Sequence, residues 1–169
     1  MAHAPTLDER MCAVERAREE LEHLEQASEV FRELFGQDLL EVVQHEMLSV
    51  SPPRSWLEAS AAQLALSTAS RIDLGRHLTL SGPFAQVTQK ALAEETEHVA
   101  AARAAICDLC ELAEDAPRQA VHCLQRWREV GLGSLDAEDA RAAYLALLDI
   151  EARSLGLCLE TPPLMASCH

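Results

Sequence analysis

Two pairs of side chains hold the strongest chemical signal in this sequence: Glu20 with His23, and Glu95 with His98, each a Glu-x-x-His. Three residues along an α-helix make about 300° of turn, so both side chains of a pair project from one face. A carboxylate and an imidazole so placed can share one metal ion. Two such helices facing each other could hold a pair of ions, with further carboxylates bridging them. These ligand types suit iron, manganese or zinc, and the spacing alone does not choose among them.

One Glu-x-x-His means little in a chain with 28 acidic residues, so position gives these two their weight. Glu20 falls in a seam of Ala13, Ala17, Leu24, Ala27, Phe31 and Leu34, spaced by alternating fours and threes. His98 falls in a like seam of Phe84, Val87, Ala91, Ala102, Ala105, Leu109 and Leu112, with Glu95 four residues after Ala91. An ionised group on a core-facing stripe is expensive unless it is paired or metal-bound. The two readings are therefore metal ligation and a buried Glu/His hydrogen bond without metal. The motifs also echo each other, Glu19-Glu20-Leu21-Glu22-His23 and Glu94-Glu95-Thr96-Glu97-His98, 75 residues apart. Two matching helices with a crossover between them suit a pseudo-symmetric four-helix bundle.

Gly and Pro punctuation divides the chain into six helical stretches that must position these groups. The first spans 7–35 and stops at Gly36-Gln37-Asp38; a short second, 39–48, ends before Ser51-Pro52-Pro53. The third starts at Ser55, a suitable N-cap, and runs to 74, before Gly75. Ser81-Gly82-Pro83 opens the fourth, which runs to 114; the fifth covers 117–130, ending in Gly131-Leu132-Gly133. The sixth starts at 134–136 and fades by Gly156. No alternating strand pattern competes, so the fold class is all-α, one domain over 1–163 with a loose tail over 164–169.

The composition fits a soluble helical domain: 49% apolar, 25% charged and only 4% aromatic. The formal charge of −14 repels phosphate backbones, which excludes nucleic acid and an anionic membrane surface as expected partners. No stretch approaches the roughly 20 apolar residues of a membrane span, and no signal peptide is legible, so the expected location is the cytoplasm. There the six cysteines should be reduced thiols.

Several stretches carry a family resemblance. Gly82-Pro83-Phe84-Ala85 followed by Ala93-Glu94-Glu95-Thr96-Glu97-His98 resembles the metal-binding helix of the phenylacetic acid catabolic family, which includes the catalytic and structural subunits of phenylacetyl-CoA epoxidase. Arg18-Glu19-Glu20-Leu21-Glu22-His23 is similar to the family's earlier Glu-x-x-His helix, and Ser55-Trp56-Leu57-Glu58-Ala59 to its tryptophan-led third helix. Gln125-Arg126-Trp127 and Ser154-Leu155-Gly156-Leu157 also match.

The resemblance implies a ferritin-like bundle with a non-haem di-iron centre. The implied activity is dioxygen-dependent oxidation of an aromatic or acyl-CoA-type small molecule, with electrons from a separate reductase. Glu20 and Glu95 would be bridging or terminal carboxylates, and His23 and His98 terminal imidazoles. The family pattern also expects a carboxylate where this chain has Leu66, and another on a helix preceding the first Glu-x-x-His, so the bundle reads as shortened at its N-terminus. The implied partner is a like or related helical subunit in an oligomer. The rival readings are a degenerate structural subunit without chemistry, and simple iron binding.

Weaker signals have plainer readings. Cys107 and Cys110 form a C-x-x-C with no second pair at zinc spacing, so they read as small packing residues. His45, His77 and His122 read as surface or satisfied histidines, and Trp56 and Trp127 as core anchors.

Overall fold

The structure, a computed structural model, describes residues 6–39, 50–78 and 83–159. All regular structure among them is α-helical: α1 (Leu7–Phe35), α2 (Trp56–His77), α3 (Pro83–Leu112), α4 (Ala116–Gly133) and α5 (Glu138–Ser154). Residues 40–48 of the predicted second stretch, with His45, and the predicted tail lie outside the described residues.

The molecule is built around α2. The Ser55 hydroxyl caps its start, accepting from the Glu58 amide at 3.1 Å. Leu57, Ala61, Leu64, Ala65 and Ala69 form a broad buried face of the helix, which places it in the core. Its small side chains admit α3 and α4 closely, and α5 closes the remaining flank. The buried hydroxyls are satisfied within the helix, Thr68 donating to the Leu64 carbonyl at 2.6 Å and Ser60 to that of Trp56 at 3.0 Å. Ile106, Leu124, Tyr144 and Leu148 complete the centre of this core. Burial of each large aliphatic side chain contributes about 1.5–3 kcal/mol.

α1 is different. A capping box at Thr6 and Glu9 starts it, and Gly36, at φ 67°, ends it in the left-handed conformation that glycine adopts without strain. It packs against α3, and Ser28 is its only buried residue. The expected core seam of α1 is therefore corrected: its alanines are half-covered and Leu34 is 56% exposed. The seam on α3 also ends early, with Leu112 lying 78% exposed. What fixes α1 is polar. Glu19 meets His98, whereas the later Glu22 and His23 meet the earlier Lys90 and Glu94, so α1 and α3 run antiparallel.

Several boundaries shift for identifiable reasons. α2 runs through Gly75, where a glycine is tolerated at a cost of about 1 kcal/mol. α4 runs through Gly131 because the Tyr144 ring lies where a side chain would stand: a Cβ there would sit 2.8 Å from Cζ. Ser134 closes α4, its hydroxyl donating to the Gly131 carbonyl, and α5 begins only at Glu138. Trp56 and Trp127 are buried as expected, whereas Cys107 is exposed, so only Cys110 of that pair packs against the core.

Two substitutions test this packing. Leu64→Ala should lower unfolding free energy by about 2–5 kcal/mol in chemical denaturation. Gly131→Ala, which helix propensity alone would favour by about 1 kcal/mol, should instead lower the melting temperature.

Candidate metal centre

α1 and α3 bring Glu20, Glu95 and His98 to one point, each offering a ligand atom within 4.8 Å of the others. His98 Nδ1 lies 3.4 Å from Glu95 Oε2 and 3.6 Å from Glu20 Oε1. For metal–ligand bonds of about 2.1 Å, the edge of a tetrahedron is about 3.4 Å. These separations are therefore long for hydrogen bonds and right for atoms sharing an ion. Glu95 Oε2 and His98 Nδ1 are buried and face each other as an ion pair, without a hydrogen bond of ordinary geometry. Such atoms are costly unless something else occupies the space between them. The donor set of two carboxylates and one imidazole fits iron, manganese or zinc.

The three groups differ in setting. His98 is almost wholly buried, its side chain 4% exposed, and its Nε2 lies 3.2 Å from Glu19 Oε2. Glu95 is buried beside Ser67 and Ser70 of α2. Glu20 is half-exposed, on the wall of an open cleft between α1 and α2. That cleft, about 490 Å³ next to Glu95, is walled by Ala59, Ala62, Gln63, Leu66 and Trp127. The remaining member of the expected set, His23, lies apart from the cluster and is paired with Glu94.

Leu66, where the family pattern expects a carboxylate, lines the same cleft as Glu20 and Glu95. Glu58, two turns earlier on α2, is committed elsewhere: it accepts from the Arg54 amide at 2.8 Å and pairs with Arg126, fastening the segment before α2 to α4. His77 is exposed beside Asp73, and His122 is exposed, as surface histidines.

Sequence reasoning overlooked Glu19, Glu94, Ser67 and Ser70. A signal for the first two was present, because both copies of the motif carry a doubled glutamate, Glu19-Glu20 and Glu94-Glu95. The serines have no signal short of the packing of α2 on α3.

The electrostatics follow from this arrangement. The Glu95 carboxylate beside His98 raises the imidazole pKa; burial opposes the rise, and Glu19 and Glu20 add to it. Burial pushes Glu95 upward, but His98, Ser67 and Ser70 outweigh it and hold its carboxyl below the usual 4.5. Glu20 is raised, first by loss of solvent and then by repulsion from Glu95.

A pH dependence follows for the metal-free protein. A raised histidine pKa stabilises fully below 6.5, the unfolded value, and that contribution is lost as pH rises through the folded value. The lowered Glu95 pKa stabilises above 4.5 and is lost as pH falls through its folded value. The melting temperature should thus decline as pH rises above 6.5, and decline less in His98→Gln. Metal uptake should tighten over the same range, because the proton on the imidazole must leave.

No protein-family model matches this chain, and no curated protein or solved structure does so either.

Proposed function

We propose that this protein is a ferritin-like non-haem metalloprotein whose centre, held by Glu20, Glu95 and His98, serves dioxygen-dependent oxidation of a small organic molecule. The observation that carries the reading is the buried Glu95–His98 pair, its facing atoms set at ligand-sharing distance and joined by Glu20. Iron bound there would supply the redox chemistry and the affinity for dioxygen; manganese or zinc would fit the same donors.

The chain's own residues have distinct parts. Glu95, fixed by Ser67 and Ser70, and His98, fixed in the interior, form the rigid half of the ligand set. Glu20 is the exposed half, at the border between the interior and the cleft. A carboxylate in that position can change its mode of binding when a substrate enters. The cleft offers mainly small and apolar walls, Ala59, Ala62 and Leu66, where an organic substrate would displace water beside the metal. A reductase would be the electron source, and a second helical subunit would cover the half-exposed α1.

The resemblance to the phenylacetic acid catabolic family favours an aromatic or acyl-CoA-type substrate. A second reading, a non-catalytic subunit or simple iron-binding protein, is favoured by Leu66, which stands at the cleft wall where an active member would place a ligand.

Metal analysis of the purified protein distinguishes these readings. With Glu20, Glu95 and His98 as the assembled set, the expected content is close to one ion per chain, and Glu95→Ala/His98→Ala should abolish it without unfolding the protein. About two ions per chain would recruit His23 as well. A folded protein that takes up no iron, manganese or zinc would overturn the proposal and leave a structural subunit.

A further inference from the structure

The cleft between α1 and α2 has two ends of different chemistry. One, about 290 Å³, is walled by Arg16 and Trp56, and the other, about 490 Å³, by Leu66, Glu95 and Trp127. Glu20, Ala59 and Gln63 line both, which joins them into one groove. Among the described residues on its walls, Arg16 is the cation, while Glu20 and Glu95 are the acids. We propose that this groove binds a free carboxylic acid with an apolar chain, its carboxylate on Arg16 and its chain running past Ala59 towards Leu66. The proposal names a substrate class for the cleft described above, and rests on the metal reading for whatever chemistry follows binding.

Arg16 is held in place without being neutralised. Its Nε donates to the Cys12 carbonyl at 3.3 Å, and among the described residues no carboxylate pairs with it. Arg18, two residues on and exposed, pairs with Glu22 at 3.0 Å. Glu20, one turn after Arg16, lies beside His98 instead. The remaining guanidinium N–H groups form a planar fork that matches a carboxylate with two parallel hydrogen bonds. In a chain of net charge −14, an arginine left open on a groove is the place where an anion is welcome.

The acids at the inner end fix the orientation. Glu20 and Glu95 repel a carboxylate, whereas Ala59, Ala62 and Leu66 offer an apolar wall, so the chain goes inward and the head group stays at Arg16. Arg16 precedes Glu20 by four residues, about 6 Å along the α1 axis. A chain of few carbons stops at that junction, and a longer one passes Ala59 into the larger volume beside Leu66 and Trp127. A CoA thioester has lost the carboxylate charge and adds phosphates, for which the described groove walls offer no second cation. The free acid is the better match.

Octanoate titrated into the metal-free full-length protein tests this by intrinsic fluorescence, because the chain's two tryptophans line opposite ends of the groove. Octanoate should bind, and octanamide, of similar size without the charge, should bind about 10- to 100-fold more weakly. Each CH2 removed between octanoate and butyrate should weaken binding about fourfold. Arg16→Ala should lose about 10- to 100-fold in octanoate affinity, and Arg16→Lys, which keeps the charge without the fork, should fall between. In Trp56→Phe, where Trp127 is the remaining tryptophan, octanoate should still shift the emission and butyrate should not. Ala59→Phe, at a half-buried position on the junction, should block octanoate in a protein that circular dichroism shows to be folded. Octanamide bound as tightly as octanoate, an Arg16→Ala protein of unchanged affinity, or octanoyl-CoA bound in preference to the acid would overturn the proposal. Metal analysis is a separate arm. Octanoate binding by a protein that takes up no metal ion would sustain the groove and refute the metal centre, and metal uptake without octanoate binding would do the reverse.

Discussion

A histidine buried between carboxylates from two helices is the constraint on which the seating of α1 and the candidate site depend. His98 stands on α3 with Glu19 at one ring nitrogen and Glu95 and Glu20 at the other. An imidazole at that depth needs partners, and the partners are charged, so the helices that carry them must stay in register. The contact between α1 and α3 accordingly has a polar centre. Greasy packing cannot fix α1, because its inward face is mostly alanine and only Ser28 is buried.

The rest of the molecule provides a rigid surface for this arrangement. α2, the most buried helix, anchors α3 and α4, and its Ser67 and Ser70 lie beside Glu95. Arg103 of α3 meets Glu151 of α5 at 3.2 Å, and Arg76 of α2 meets Asp139 at the start of α5 at 2.6 Å, tying the far side of the bundle together. The α3 half of the site is therefore buried, and the α1 half, with Glu20 beside an open cleft, is exposed.

Most of the fold was legible because helices announce themselves locally. Thr6 and Gly36 bracket α1, and Ser55 opens α2, at the expected places. Gly75 and Gly131 misled the reading, since a glycine can end a helix or make room for a neighbour, and only Tyr144 shows which applies at Gly131. Ser134 misled it too, by serving the helix before it. Residues of the site were legible as types: Glu20, Glu95 and His98 were picked from spacing and seam position, and the structure gathers them. The separation of His23 from that cluster was not legible, since it depends on Lys90, on the α2 serines and on the cleft, all of which are tertiary. Depth was also misjudged. A 4–3 seam of alanines reads as core, yet on α1 it is a half-covered surface.

X-ray absorption at the metal edge of the zinc-loaded protein tests the central claim most directly, because it reads the donor atoms themselves. The account predicts a sulfur-free shell of oxygen and nitrogen at about 2.0–2.1 Å, containing a single imidazole that disappears in His98→Ala. A sulfur shell near 2.3 Å, which would place the ion on cysteines, or a first shell unchanged by loss of His98, would contradict it.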